Sequence, residues 1–167
     1  RSGLDAGSFG MGGRTNRIKM ENIRITKIFR FEMAHALVGY DGLCRNIHGH
    51  SYELRVTVIG EPEEDVHSPK CGMLMDFSDL KKIVHQQIVD RFDHSLVLNE
   101  AVDADLVAQL QKHYQKVELL PYQPTSERML LHFADLLKQQ LPSSVSLYSL
   151  RLGETATSYA EWYAGDN

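Results

Sequence analysis

From Ile23 onward, apolar and polar positions alternate. Ile23, Ile25, Phe29, Phe31, Met33 and His35 share one parity and Arg24, Thr26, Arg30 and Glu32 the other, with Lys27 out of step. Successive side chains of an extended strand point to opposite faces, so the pattern predicts a half-buried strand. Tyr52, Leu54, Val56 and Val58 alternate with Glu53, Arg55 and Thr57 and predict a second, more regular strand. The linker "VGYDGLCRN" carries the turn formers Gly39, Asp41 and Gly42, so the two strands are expected to run antiparallel across a long functional loop.

The period then changes. In "DFSDLKKIVHQQIVDRFD", Phe77, Leu80, Val84, Ile88 and Phe92 recur at helical spacing behind Asp76, whose carboxylate can cap the first turn. A second helix is expected from near Pro124 and Thr125, with Leu130, Phe133, Ala134, Leu137 and Leu141 as its apolar stripe, and a short helix over 104–114 lies between the two. "SVSLYSLRLGET" and "SYAEWYA" read as closing strands, the first with Tyr148, Leu150, Leu152 and Glu154 on one face. The order ββααββ predicts an α+β fold, a four-stranded antiparallel sheet with two helices on one face. Its other face needs cover, and oligomerisation is the simplest source.

Composition narrows the class. The chain has 167 residues, 43% hydrophobic and 24% charged, as expected of one globular domain with a substantial core. Residues 1–19, rich in Gly, Ser and Arg and without periodicity, read as a non-native or disordered leader, leaving 20–167 as a single domain. No run is apolar enough to span a bilayer, and two cysteines are too few for a disulfide framework, so a soluble cytoplasmic protein is expected. The net charge of −4 includes a basic contribution from residues 1–19; the remainder is more acidic still. Such a chain offers no broad footprint for nucleic acid or an anionic membrane, and an anionic substrate would need a local basic pocket. Lys27, Arg30, Arg45 and Arg55 are its candidates, with nothing to discriminate among them.

The chemistry concentrates in "CRNIHGHSYELRVTVIG". His48 and His50 are two residues apart at a strand start, so their imidazoles project to one side and Gly49 opposes them without a side chain. Alone, a His-x-His is more often a hydrogen-bonded turn than a metal site. His35 shifts that balance, because it ends the first strand on the apolar parity, where an antiparallel partner brings it beside the second. Three histidines without a fourth protein ligand make the pattern of a catalytic zinc; Cys44 as fourth ligand would make a closed site, and both stay open. Cys44 reads otherwise as a reactive thiol beside the metal or an inert small residue. Cys71 has no such neighbours.

Three acidic positions complete the set. Asp93 and His94, adjacent in "RFDHSLVL", suit acid–base chemistry, although an Asp-His dipeptide is by itself more often a solvated helix end. Glu127 reads as a first-turn residue favoured by the helix dipole. Glu154 ends a largely apolar strand face, where a carboxylate needs donors that a ligand with two adjacent N–H groups would supply. His67, His85, His113 and His132 fall outside this constellation and read as surface or packing residues.

Taken together, "FEMAH", "CRNIHGHSYELRVTVIGE", "GMLMDFSDLK", "DHSLVLN", "PTSE" and "GET" resemble, in this order, the 6-pyruvoyltetrahydropterin synthase family. Within it, Cys-x-x-x-His-Gly-His is similar to the bacterial branch that makes 6-carboxy-5,6,7,8-tetrahydropterin. That resemblance implies conversion of 7,8-dihydroneopterin triphosphate with release of acetaldehyde and triphosphate, on the way to the modified tRNA base queuosine. It implies Zn2+ on His35, His48 and His50, Cys44 as catalytic base, Asp93 and His94 as the dyad working with it, Glu154 anchoring the pterin and Glu127 at the pocket. It further implies the tunnelling fold, with trimers closing a barrel and stacking into a homohexamer whose sites lie between subunits. A 6-pyruvoyl-type lyase and a non-catalytic zinc or pterin-binding module are the alternatives. Residues 100–123 depart from the compact bacterial members, where "PTSE" follows the Asp-His motif closely.

Overall fold

The computed structural model describes residues 21–167, so the leader expected over 1–19 lies outside the described residues. Strands β1 (Ile23–His35) and β2 (His48–Gly60) pair antiparallel along their whole lengths, from Ile23 opposite Gly60 to His35 opposite His48. The predicted alternation holds: Phe29, Phe31, Met33, Tyr52, Leu54, Val56 and Val58 are buried on one face. Lys27, on the buried parity, is half-exposed, with its ammonium 5.8 Å from the Phe77 ring, so its stem lies on apolar surface while the charge stays near solvent.

Helix α1 (Phe77–Val84) starts behind Asp76, whose carboxylate accepts from the Ser78 N–H at 2.7 Å. It continues through a π-helical turn (His85–Val89) into α2 (Asp90–Phe92). Leu80, Val84, Ile88 and Phe92 are fully buried. Spacing by four over-runs a 3.6-residue turn by about 40° each time, and the wider turn takes up that drift and keeps Ile88 and Phe92 on the core. Phe77, expected on the same stripe, is instead 49% exposed.

Beyond α2 the sequence reading is extended. Strand β3 (Ser95–Asn99) lies parallel to β1, helix α3 (Ala104–His113) follows, and strand β4 (Val117–Leu120) lies parallel to β3. Helix α4 (Ser126–Gln140), capped by Thr125, then leads to β5 (Val145–Gly153) and β6 (Tyr159–Tyr163). The sheet order is β4-β3-β1-β2-β5-β6. The expected antiparallel four, β1, β2, β5 and β6, form its body, and two short parallel strands widen it from four to six. The core fills the space between this sheet and the helices, with Leu130, Phe133 and Leu137 of α4 buried as predicted.

One face assignment is corrected. A register shift between Thr57 and Val58 marks a bulge in the β2–β5 pairing, so Val145 and Leu147 face the core before it and Leu150 and Leu152 after it. The bulge exchanges parity, and Tyr148 leaves the face it was expected to share with Leu150. It lies under the Arg24 guanidinium, 4.0 Å from its ring centre, and edge-on to Tyr163.

Candidate active site

At the end of the β1–β2 ladder, His35 and His48 are direct cross-strand partners and His50 follows two residues on. One nitrogen from each of the three lies within 4.8 Å of the others. Gly49 faces the other way, and a Cβ there would sit 3.1 Å from the Met33 carbonyl oxygen, so the residue between the histidines is small because β1 presses against it.

The backbone orients the rings. His35 donates from Nδ1 to the Pro124 carbonyl at 2.7 Å, and His48 donates from Nδ1 to the Asn46 carbonyl at 2.8 Å. Those bonds fix the tautomer, leaving both Nε2 atoms as lone-pair nitrogens, 3.2 Å apart. Two lone pairs aimed at each other repel unless a cation lies between or beside them, so this donor set fits a metal ion. His35 is 3% exposed, and its burial pushes the imidazole pKa below the ordinary value against the pull of the Pro124 carbonyl. A neutral imidazole is what a metal requires.

A cavity of about 410 Å³ opens over these nitrogens, lined also by Cys44, Thr125, Ser126, Glu127 and Glu154. Cys44 sits in a 3-10 turn (Leu43–Arg45), and its carbonyl accepts from the Leu37 N–H at 3.0 Å. Asn46 closes the turn on the Leu43 carbonyl and thereby presents its own carbonyl to His48. Glu127 stands in the first turn of α4. Glu154 is half-buried beyond β5 and accepts from the Tyr52 hydroxyl at 3.4 Å. Tyr52 is fully buried, and desolvation together with Glu154 drives its phenol pKa strongly upward, keeping it a neutral donor. The Ser126 hydroxyl is buried without a hydrogen-bond partner.

Asp93 and His94 touch each other, Nδ1 to Oδ1 at 3.0 Å, but they do not line this cavity. His94 borders a larger one, about 1020 Å³, with Ala34, Gly49 and Ser51. Asp93 also accepts from the Glu32 N–H at 2.9 Å. Desolvation pushes its pKa up, but the Glu32 N–H and His94 outweigh it and hold the carboxyl below its ordinary range.

A family model described as "6-pyruvoyl tetrahydropterin synthase" matches residues 24–165. The chain belongs to the 6-pyruvoyl tetrahydropterin synthase family. It is similar to the 6-carboxy-5,6,7,8-tetrahydropterin synthase of Haemophilus influenzae, 38% identical over 141 residues that cover 83% of this chain and 97% of that protein. The Synechocystis enzyme of the same name is 33% identical over 84% of this chain and 92% of its own. Among solved structures, Caenorhabditis elegans 6-pyruvoyl tetrahydropterin synthase matches with a TM-score of 0.61 and 24% identity, over 87% of this chain and 97% of that one. The fold is shared, as the family resemblance implied.

Seen in this family fold, six of the eight candidate residues meet in one cavity: His35, His48, His50, Cys44, Glu127 and Glu154. Among the basic candidates, Arg30 and Arg55 are both held by Glu53, at 2.8 and 2.9 Å. Arg45 flanks Cys44 and makes no ion pair among the described residues. Sequence reasoning missed Tyr52 behind Glu154, the Pro124 and Asn46 carbonyls behind the histidines, and Ser126 inside "PTSE". Tyr52 carried a signal, since it continues the parity of His48 and His50; backbone carbonyls carry none.

Proposed function

We propose that this chain is a zinc-dependent 6-carboxy-5,6,7,8-tetrahydropterin synthase, a lyase converting 7,8-dihydroneopterin triphosphate and water to 6-carboxytetrahydropterin, acetaldehyde and triphosphate in queuosine formation. The carrying observation is one cavity in which three imidazoles, two of them oriented by backbone carbonyls, a thiol and two carboxylates converge. Zinc on His35, His48 and His50 supplies a Lewis acid for side-chain oxygens of the substrate. Glu154, backed by Tyr52, accepts two N–H bonds from the pterin edge and so orients it. The unpartnered Ser126 hydroxyl and Glu127 offer further polar contacts to a polar ring. Cys44 takes the side-chain proton, and His94, with its tautomer held by Asp93, exchanges the others.

Within one chain His94 and Cys44 open into different cavities. The reading that reconciles them is a homohexamer, a dimer of trimers, in which the pair serves a neighbouring subunit's thiol. Such an enzyme works in the cytoplasm on a small molecule and needs no contact with nucleic acid or membrane; no described helix is long and apolar enough to cross a bilayer.

The test pairs metal content with turnover in Cys44→Ala. The variant is expected to retain zinc while losing turnover by at least ~100-fold, the scale of a missing acid–base group. Loss of zinc with the thiol would instead make Cys44 a fourth ligand of a closed, non-catalytic site.

A further inference from the structure

The stretch 100–123 sends one side chain to the Asp93–His94 pair. Lys116, half-buried between α3 and β4, donates from Nζ to the Asp90 carbonyl at 2.9 Å and also to the Asp93 carbonyl. These carbonyls belong to the end of α2, where the last helical acceptors lack partners within the helix. A cation there is also favoured by the helix dipole. The Phe92 carbonyl between them is taken by the Ser95 hydroxyl at 2.6 Å, so this helix end is closed by side chains from β3 and from the β4 entrance.

The next residue is the reason such closure matters. His94 has φ 58, the one non-glycine in the left-handed region among the described residues. That conformation is strained for a residue with a Cβ and persists only where its neighbours over-determine it. Glu32 holds one side: its carbonyl accepts from the His94 N–H at 2.6 Å and its N–H donates to Asp93 Oδ1 at 2.9 Å. Lys116 holds the other side through the Asp93 carbonyl, the peptide that joins Asp93 to His94. The Lys116 backbone is itself tied down, its carbonyl accepting from the Leu96 N–H at 2.9 Å beside the β3–β4 pairing. Its charge also adds to the downward pull on the Asp93 carboxyl, behind the Glu32 N–H and His94.

We propose that Lys116 is a positioning residue for the reaction: by gripping the Asp93 carbonyl it fixes the left-handed turn that aims the His94 imidazole. On this account α3 and β4 serve to deliver Lys116 to that turn. The inference rests on the reading of Asp93 and His94 as the proton-exchanging pair, and the controls separate the two.

The experiment measures kcat, KM, zinc content and melting temperature for full-length Lys116→Met, Lys116→Arg and His94→Ala with 7,8-dihydroneopterin triphosphate. Lys116→Met is expected to lower kcat about 10- to 100-fold, the scale of a misplaced acid–base group, with KM and zinc content unchanged. Lys116→Arg, which keeps the charge and the donors, is expected to recover most of that loss. A Lys116→Met enzyme with wild-type kcat, beside an inactive His94→Ala, overturns the positioning role and leaves the proposed function standing. Wild-type kcat in His94→Ala overturns the role of the pair, and the inference with it. A parallel fall of kcat, zinc content and melting temperature without rescue by Arg also overturns it, since that marks a general structural role. If Lys116→Met does not fold, Lys116→Gln decides by the same readings.

Discussion

His35 and His48 each commit Nδ1 to a backbone carbonyl, and that commitment, more than the presence of three histidines, fits the cluster to a metal ion. Removing the His48 Nε2 donor in His48→Ala is expected to abolish stoichiometric zinc binding, measured by metal analysis after dialysis. Glu154→Ala is expected to behave oppositely, retaining zinc while weakening pterin affinity at least ~10-fold by calorimetry, the loss of one charge-assisted pair. Asp93 gives a pH signature. Its carboxyl is held below its ordinary value of 3.8, so the ionised form is favoured in the folded state. That contribution is present in full above about pH 4 and is lost as pH falls through the depressed value. Asp93→Asn keeps an acceptor for the Glu32 N–H but not the charge; by denaturant titration its stability deficit should be constant near neutrality and vanish in strong acid. The sequence made these side chains legible because their types are rare on apolar parities. What it left hidden were their supports, such as Tyr52, which looked like an ordinary core aromatic, and the Pro124 carbonyl, which no residue type announces.

The helices and long strands were readable for a related reason: a repeated period over many residues averages out single exceptions such as Lys27 and Phe77. β3 and β4 were not. "SLVLN" and "VELL" are short apolar runs without alternation, and their strand character comes from β3 lying parallel beside β1 and β4 parallel beside β3, long-range pairings that no local window contains. Tyr148 was misplaced because a single bulged position reverses parity for everything beyond it. Among the elements, α4 bears most directly on the site, since its N-terminal segment carries Pro124, Thr125, Ser126 and Glu127. Thr125 caps it by accepting from the Arg128 N–H. Thr125→Ala is expected to cost about 1 kcal/mol of stability in thermal or denaturant unfolding. Zinc affinity should fall with it, as the Pro124 carbonyl loses its fixed place behind His35.

At the scale of the whole molecule, one sheet face is packed under the helices and the other carries Thr26 bonded to Thr57, the Arg30–Glu53–Arg55 cluster, and Ile28, 46% exposed. A half-polar sheet face of this kind suits a lining that meets other subunits, and sedimentation is expected to give a hexamer; a monomer would leave the Asp93–His94 pair without a thiol to serve. The identity of the reaction is decided by its products. Incubation of the zinc-loaded protein with 7,8-dihydroneopterin triphosphate, followed by mass analysis of the pterin and a coupled assay for aldehyde, tests the central claim most directly. The account predicts 6-carboxytetrahydropterin with acetaldehyde and triphosphate in equal amounts. Formation of 6-pyruvoyltetrahydropterin without acetaldehyde, or recovery of the substrate unchanged, would contradict it.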